Sequence, residues 1–345
     1  MAQSPASVSG PEQPPFLSPS EIVKRLEASK VSYRIEGKDS PPGGWAESLW
    51  PQRVQAVEHP RVVVQNGERV IRQWPQHAGA RKLLDEAEPH FQAKRFEEAG
   101  KLYARATEAC PDCYMAWNFR GDAAYFAGDA ATALEYYRKA AALNPDDHRS
   151  WFFQGNALAK LGRFDEALEA WAWCLALNPR YPVIRQFFRH NAHLGLFIRE
   201  DAIVPRGYAE RDGEGVSIQF DPNHDPAWFA FANCKALWLG EPSHRQEMTG
   251  STEEHFSSTE ELECLGSALV VHQGMREQGK TEASDPTLDR LYGIAQDGML
   301  LEAVLFEVGS RIHPQVILTT EEATRQRLKA YVLKHVLVPT GGIDL

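Results

Sequence analysis

The sequence predicts a mainly α protein: a three-unit helical solenoid with a capping helix, a small α+β region before it, and a mainly helical C-terminal domain with a β-hairpin after it. Three observations carry that prediction. Pro111, Pro145 and Pro179 stand 34 residues apart, and each closes the same succession of small and large residues. Asn66-Gly67 and the run Arg211-Asp212-Gly213-Glu214-Gly215 interrupt β-prone stretches as hairpin turns do. Beyond residue 220, cap signals such as Asp225-Pro226 and Asp285-Pro286 open stretches with apolar residues at helical spacing.

The solenoid follows from matched columns. Ala99, Ala133 and Ala167 align, as do Tyr103, Tyr137 and Trp171, then Ala106, Ala140 and Cys174. Ala87, Gly121 and Gly155 share an earlier column, and Leu83, Trp117 and Trp151 another. A fixed period of this length marks stacked helical hairpins. Small residues stand where two helix backbones approach, and the aromatic columns fill the space left between them. Each proline ends a second helix because it cannot continue the hydrogen-bond ladder. These columns resemble the tetratricopeptide repeat (TPR) family, and the resemblance covers residues 80–198. It implies a protein-binding array whose open end needs a lid. The segment from Pro182 to Ile198, with Val183, Phe187, Phe188, Leu194 and Leu196, is expected to be that lid helix.

Four segments are expected along the chain: a disordered tail at 1–15, an N-terminal helix and hairpin region at 16–79, the array with its capping helix at 80–198, and a mainly helical domain at 199–345. Ser18-Pro19-Ser20-Glu21 caps a short helix read over 16–36. Residues 37–60, with Pro41-Pro42-Gly43-Gly44, Trp45 and Trp50, read as a loop, and Arg61 to Trp74 as a hairpin across Asn66-Gly67. After the lid, Ala202-Ile203-Val204 and Val216 to Phe220 read as the two strands of a second hairpin. A helix with Trp228, Phe229, Phe231, Cys234, Leu237 and Trp238 follows, then a polar loop over 240–258 and a helix starting at Ser258. One long helix is expected from Pro286 through Val308, and a last one from Thr320 to Val338.

Bulk properties bound the function. Apolar residues make up 43% of the chain, enough for a packed core. From Glu200 onward 24 acidic residues face 12 basic ones, a balance of −12 against +2 before it. That acidic half argues against nucleic acid, whose phosphates need a basic surface. No apolar run is long enough to span a bilayer, and the first fifteen residues carry no leader-like apolar stretch. Five cysteines, an odd number spread over the chain, do not suggest a disulfide framework, so a cytoplasmic location is expected.

By the family's register, first-helix side chains line the groove. Those expected to hold a partner are Arg81, Glu88 and Phe91 in the first repeat, Asn118, Asp122 and Tyr125 in the second, and Arg149, Phe152, Asn156 and Lys160 in the third, with Leu84 and Met115 beside them. Amides bond an extended backbone and aromatics grip side chains, so the expected ligand is a peptide or helix of a partner protein. The groove filled by one of the chain's own terminal segments is the competing arrangement. Some TPR proteins clamp a C-terminal carboxylate with basic side chains. Here Leu84, Glu88 and Phe153 occupy those positions and only Arg149 fits, which argues against that ligand.

Other groupings carry less chemistry. Cys110-Pro111-Asp112-Cys113 has redox or half-metal spacing but falls on the turn between two repeats. His190 and His193 lack a third ligand. His224, Asp225, Glu241, His244, Glu247 and His255 gather without a recognisable spacing. Phosphate-loop, dinucleotide-loop and nucleophile-elbow signatures are missing. No catalytic residue, metal or cofactor is assigned. The expectation is a non-catalytic adaptor. An enzyme, hydrolytic or metal-dependent, with its site in 200–345 and a structural subunit of a multiprotein complex are the alternatives.

Overall fold

The computed structural model describes residues 15–37, 53–279 and 285–340. All but Pro15 of the tail expected at 1–15, and most of the loop with Pro41 to Trp50, lie outside the described residues. The chain divides into two compact units, one of residues 1–52 with 202–304 and one of residues 53–201 with 305–345.

In chain order, helix α1 (Pro19–Ala28) and strand β1 (Tyr33–Gly37) come first, then the hairpin β2 (Pro60–Gln65) and β3 (Glu68–Gln73). Six helices follow as three antiparallel pairs: α2 (Ala78–Gln92) with α3 (Phe96–Ala109), α4 (Tyr114–Phe126) with α5 (Ala130–Leu143), and α6 (His148–Lys160) with α7 (Phe164–Leu177). Next come α8 (Pro182–His190), β4 (Leu196–Ile198), β5 (Gly207–Asp212) and β6 (Gly215–Phe220). Helices α9 (Ala227–Gly240), α10 (Pro242–Thr249), α11 (Ser258–Glu277), α12 (Pro286–Gln296) and α13 (Glu322–Tyr331) lead to β7 (Leu337–Pro339).

In the repeat unit the column logic is visible atom by atom. A Cβ on Gly121 would lie 2.4 Å from the Tyr137 ring, and one on Gly155 would lie 2.4 Å from the Trp171 indole, so only glycine admits those fully buried aromatics. Trp117 and Trp151 donate their indole N–H to the carbonyls of Pro111 and Pro145 at 2.8 and 3.1 Å, tying each first helix to the turn before it. Asp129 and Asp147 cap α5 and α6 by accepting from Thr132 and Ser150 backbone N–H groups. The hairpin turn is Asn66-Gly67, both at positive φ, as its dipeptide requires.

The lid is shorter than expected. Helix α8 stops at His190, and Leu196–Ile198 is a strand paired antiparallel with Leu337–Pro339 rather than a helical end. Its Phe187 and Phe188 still cover Trp171, with ring centroids 5.5 and 5.1 Å away. The last helix likewise ends early: α13 passes into a π-helical stretch, Val332–Val336, and then into β7. Helix α13 packs on α7, where Lys329 bonds Glu169 at 2.7 Å and its ammonium lies over the Trp173 ring.

The mixed unit is built on a three-stranded sheet ordered β1-β6-β5, with β1 parallel to β6 and β5 antiparallel to it. The helix read over 16–36 thus ends at Ala28, because residues 33–37 find a partner far along the chain. The second hairpin uses Gly207–Asp212 rather than 202–204 as its first strand, since a two-residue turn at Gly213-Glu214 fixes the register. Val216, Ile218, Ala232 and Ala236 form a core between the sheet and α9. A Cβ on Gly207 would lie 2.5 Å from the Trp228 carbonyl oxygen, so glycine sets the approach of sheet and helix. The polar segment 240–258 contains a helix, α10, with buried His244 and Arg245. The long helix expected from Pro286 is divided at Gly298, whose φ of 67° breaks it.

Four of the five cysteines are paired: Cys110–Cys113 on the α3–α4 turn and Cys234–Cys264 between α9 and α11; Cys174 is free and buried. The expected absence of disulfides is corrected, because two cysteines thirty positions apart meet only once two helices pack. Cysteine usage therefore no longer argues for a reducing compartment.

Candidate binding groove

First helices of successive repeats lie side by side, so α2 and α4 present their inward residues to one cavity of about 260 Å³. Ala80, Leu84, Ala116 and Phe119 supply its apolar lining, and Arg81, Asp85, Glu88, His59, Gln76 and His77 supply polar groups, with Met115 and Cys113 completing it. Of the ten expected contact residues, Arg81 and Glu88 line this cavity; Leu84 and Met115 join them. Arg81 holds Asp85 at 3.0 Å across one helical turn.

The remaining expected residues sit elsewhere along the array. Asn118 is buried and donates to the Ser150 hydroxyl at 2.9 Å, while its Oδ1 has no partner among the described residues. Asp122 accepts from the Tyr137 hydroxyl at 2.7 Å. Burial, reinforced by the nearby Glu88 carboxylate and opposed by the Tyr137 bond, pushes the Asp122 carboxyl up to about 7. The Tyr103 hydroxyl, also pushed up by burial and then by Glu88 and Asp122, has no hydrogen-bond partner among the described residues. Phe91 belongs to an aromatic group with Phe96 and Phe126 at centroid distances of 5.4 and 5.5 Å. Lys160 lies over the Tyr125 ring and donates to the Tyr125 carbonyl, linking the second and third repeats. Asn156 accepts from the Trp171 indole at 3.1 Å.

Two further expected contact residues are committed to contacts within the protein. Phe152 is only 5% exposed and packs against Tyr181 and Phe187. Arg149 makes two bonds to Asp147, at 2.8 and 2.9 Å, and donates to His59 Nδ1 at 2.7 Å and to the Tyr114 hydroxyl at 3.0 Å. A guanidinium only donates, so His59 Nδ1 accepts and the ring is neutral. Burial, then the Arg149 charge, holds His59 below its ordinary value, in agreement. The hairpin therefore docks at this end: Asn144 donates to the Pro60 carbonyl and Val62 N–H to Asp146, at 2.9 Å each. The chain's own segment fills the Arg149 end and leaves the cavity between the first and second repeats open.

Sequence reasoning missed His59, read as part of a loop, and His77, which caps α2 by accepting from Ala80 N–H. Histidine is not a usual cap, so no signal pointed to it.

In the mixed unit most of the suspected polar gathering is divided among separate contacts, with Arg25 lying beside both His244 and Glu247. His244 faces Glu263 at 2.9 Å, His224 faces Asp221 at 3.2 Å, and Asp225 faces His272 at 2.8 Å. Glu241 accepts from Tyr33 and Ser29 hydroxyls. Among the described residues no three histidine, cysteine or acidic side chains converge as metal ligands, and no helix is long and apolar enough to cross a membrane.

Residues 84–148 and 120–172 match the tetratricopeptide repeat family. No curated protein matches the chain. Among solved structures, the first TPR of Spaghetti (RPAP3), bound to the HSP90 peptide SRMEEVD, aligns at 22% identity and TM-score 0.31 over 33% of this chain and 90% of that one. The Yersinia enterocolitica type III secretion chaperone SycD, in complex with a peptide of the translocator YopD, aligns at 16% identity and TM-score 0.32 over 34% of this chain and 91% of that one. A structure of Naa15/Naa10 bound to HypK-THB aligns at 14% identity and TM-score 0.29 over 74% of this chain and 34% of that one. With the 34-residue period and its glycine–aromatic columns, the family match makes residues 84–172 tetratricopeptide repeats.

Proposed function

We propose that the chain is a non-catalytic interaction adaptor that holds a peptide or helical segment of a partner protein between its first and second repeats. The open cavity lined by Leu84, Met115 and Phe119, with Glu88 and Arg81 beside them, carries this reading. Apolar lining with a few oriented polar groups is what a short segment needs for anchoring and orientation. Arg149, held by Asp147 and His59, is not available to clamp a terminal carboxylate, and Glu88 beside the cavity repels one. The favoured segment is therefore apolar with a basic or neutral flank.

The test is a photo-crosslinking residue placed at Met115, compared with one at exposed Asp165. Recovery of one defined partner peptide from Met115 and not from Asp165 is the expected result. Equal recovery at both positions, or none at Met115 while the intact protein co-purifies with a partner, sinks the groove assignment.

A further inference from the structure

We propose that Cys110–Cys113 is a thiol–disulfide exchange site, opened and closed in the folded protein by small thiols and disulfides of the glutathione class. The second disulfide, Cys234–Cys264, would be a fixed structural bond. The two pairs differ in access. Cys234 and Cys264 are both 0% exposed, in two helices packed on each other. Cys110 is half-buried, and the Pro111-Asp112 turn between it and its partner is exposed. Cys113 is only 6% exposed. Exchange requires a thiolate to reach a sulfur in line with the bond it breaks, and within this pair Cys110 is the approachable atom.

The position of Cys113 completes the argument. It is the N-cap residue of α4, a thirteen-residue helix, and makes no side-chain capping bond in the disulfide state. Attack by an incoming thiolate on Cys110 Sγ forms a mixed disulfide there and breaks the bond to Cys113, whose sulfur takes the electron pair. That sulfur becomes a thiolate at the positive end of the helix, beside N–H groups that have no intrahelical partner, which makes it a good leaving group. A second thiolate then attacks the mixed disulfide and leaves as an oxidised disulfide, releasing Cys110 as a thiolate. Each protein sulfur takes up one proton, so two small thiols are oxidised for each protein disulfide reduced. The reverse sequence, with glutathione disulfide as oxidant, closes the bond. Cys113 also lines the groove cavity and packs with Ala80, Ala106 and Ala116, so the exchange takes place against the α2–α4 contact.

The test uses the full chain in glutathione buffers of rising reduced-to-oxidised ratio, quenched with acid, alkylated and mapped by peptide mass spectrometry, with circular dichroism reporting the fold. Cys110 and Cys113 are expected to become alkylated together at ratios that leave Cys234 and Cys264 unlabelled and the fold intact. Cys113→Ser, which places a favourable N-cap residue before α4, should collect glutathione on Cys110. Cys110→Ser should carry at least about tenfold less adduct on Cys113 at the same concentration. If the turn pair resists reduction until Cys234–Cys264 also opens, or if both variants collect equal adduct, the proposal is overturned. The wild-type labelling pattern decides the matter alone should either variant fail to fold.

Discussion

The two units bury their helices against different materials. In the repeat unit the contacts are glycine against aromatic ring, as at Gly121–Tyr137 and Gly155–Trp171. In the mixed unit α9 is buried almost all round, and its Lys235 bonds Glu260 at 2.6 Å and Glu261 at 2.5 Å while Arg245 also holds Glu260. A buried ammonium is tolerable only with such partners, and burial lowers its proton affinity less than the two carboxylates raise it. The first arrangement is tuned by shape and the second by charge, so the two should fail differently.

Removing one ion should have the largest effect. Lys235→Met removes the ammonium bonded to Glu261, which is 0% exposed, and should destabilise the mixed unit by about 3–5 kcal/mol in denaturant titration. Adding Glu261→Leu should recover most of that loss. A double variant as unstable as the single one would show that charge is not what governs this core.

The repeats should instead respond to volume. Gly155→Ala forces a Cβ into the Trp171 indole and should cost about 1–3 kcal/mol, even though alanine favours helix. An increase in stability would mean that the indole moves freely and that the column reading is wrong.

Charge enters the array at Asp122, with the sign that burial dictates. Its folded value, about 7, lies above the unfolded one, so the protonated carboxyl suits the fold. The stabilisation is complete in acid, near or below the unfolded value, and is lost as pH rises through neutrality. Asp122→Asn should therefore stabilise the fold more at pH 8 than at pH 5, by on the order of 1 kcal/mol, read from denaturant titrations at the two pH values. An equal effect at both pH values would assign the difference to packing. The smallest change is expected at the exposed Arg163–Glu166 pair, where Glu166→Gln should leave the midpoint of either transition unmoved.

The same contrast explains what could be read in advance. Gly121, Gly155 and their aromatic partners repeat at fixed spacing, so the array was visible as columns, and Asn66-Gly67 announced its hairpin through local backbone demands. The mixed unit offers no period. Its parallel pairing of Tyr33 with Val216 is non-local, and buried Lys235, Arg245, Glu260 and Glu261 look in the sequence like solvated charges. Helix α10 was read as loop for that reason. At the groove, Arg81, Glu88, Leu84 and Met115 followed from register. His59 reached the cavity only through the docking of a hairpin, and the inward turn of Phe152 depended on the lid.

The division of the chain also bears on how the protein is made. Each pair of repeat helices is contiguous and can fold as it leaves the ribosome. Strand β4 emerges well before β7, its only partner in the two-stranded sheet described here, and β1 must wait for β6 through the whole synthesis of the array. Two strand edges therefore remain uncovered on the nascent chain, and most of the acidic charge after residue 200 is added while β4 waits. Slow decoding between residues 200 and 216 would lengthen the exposure of β1, so the yield of native protein should depend on translation speed in that stretch.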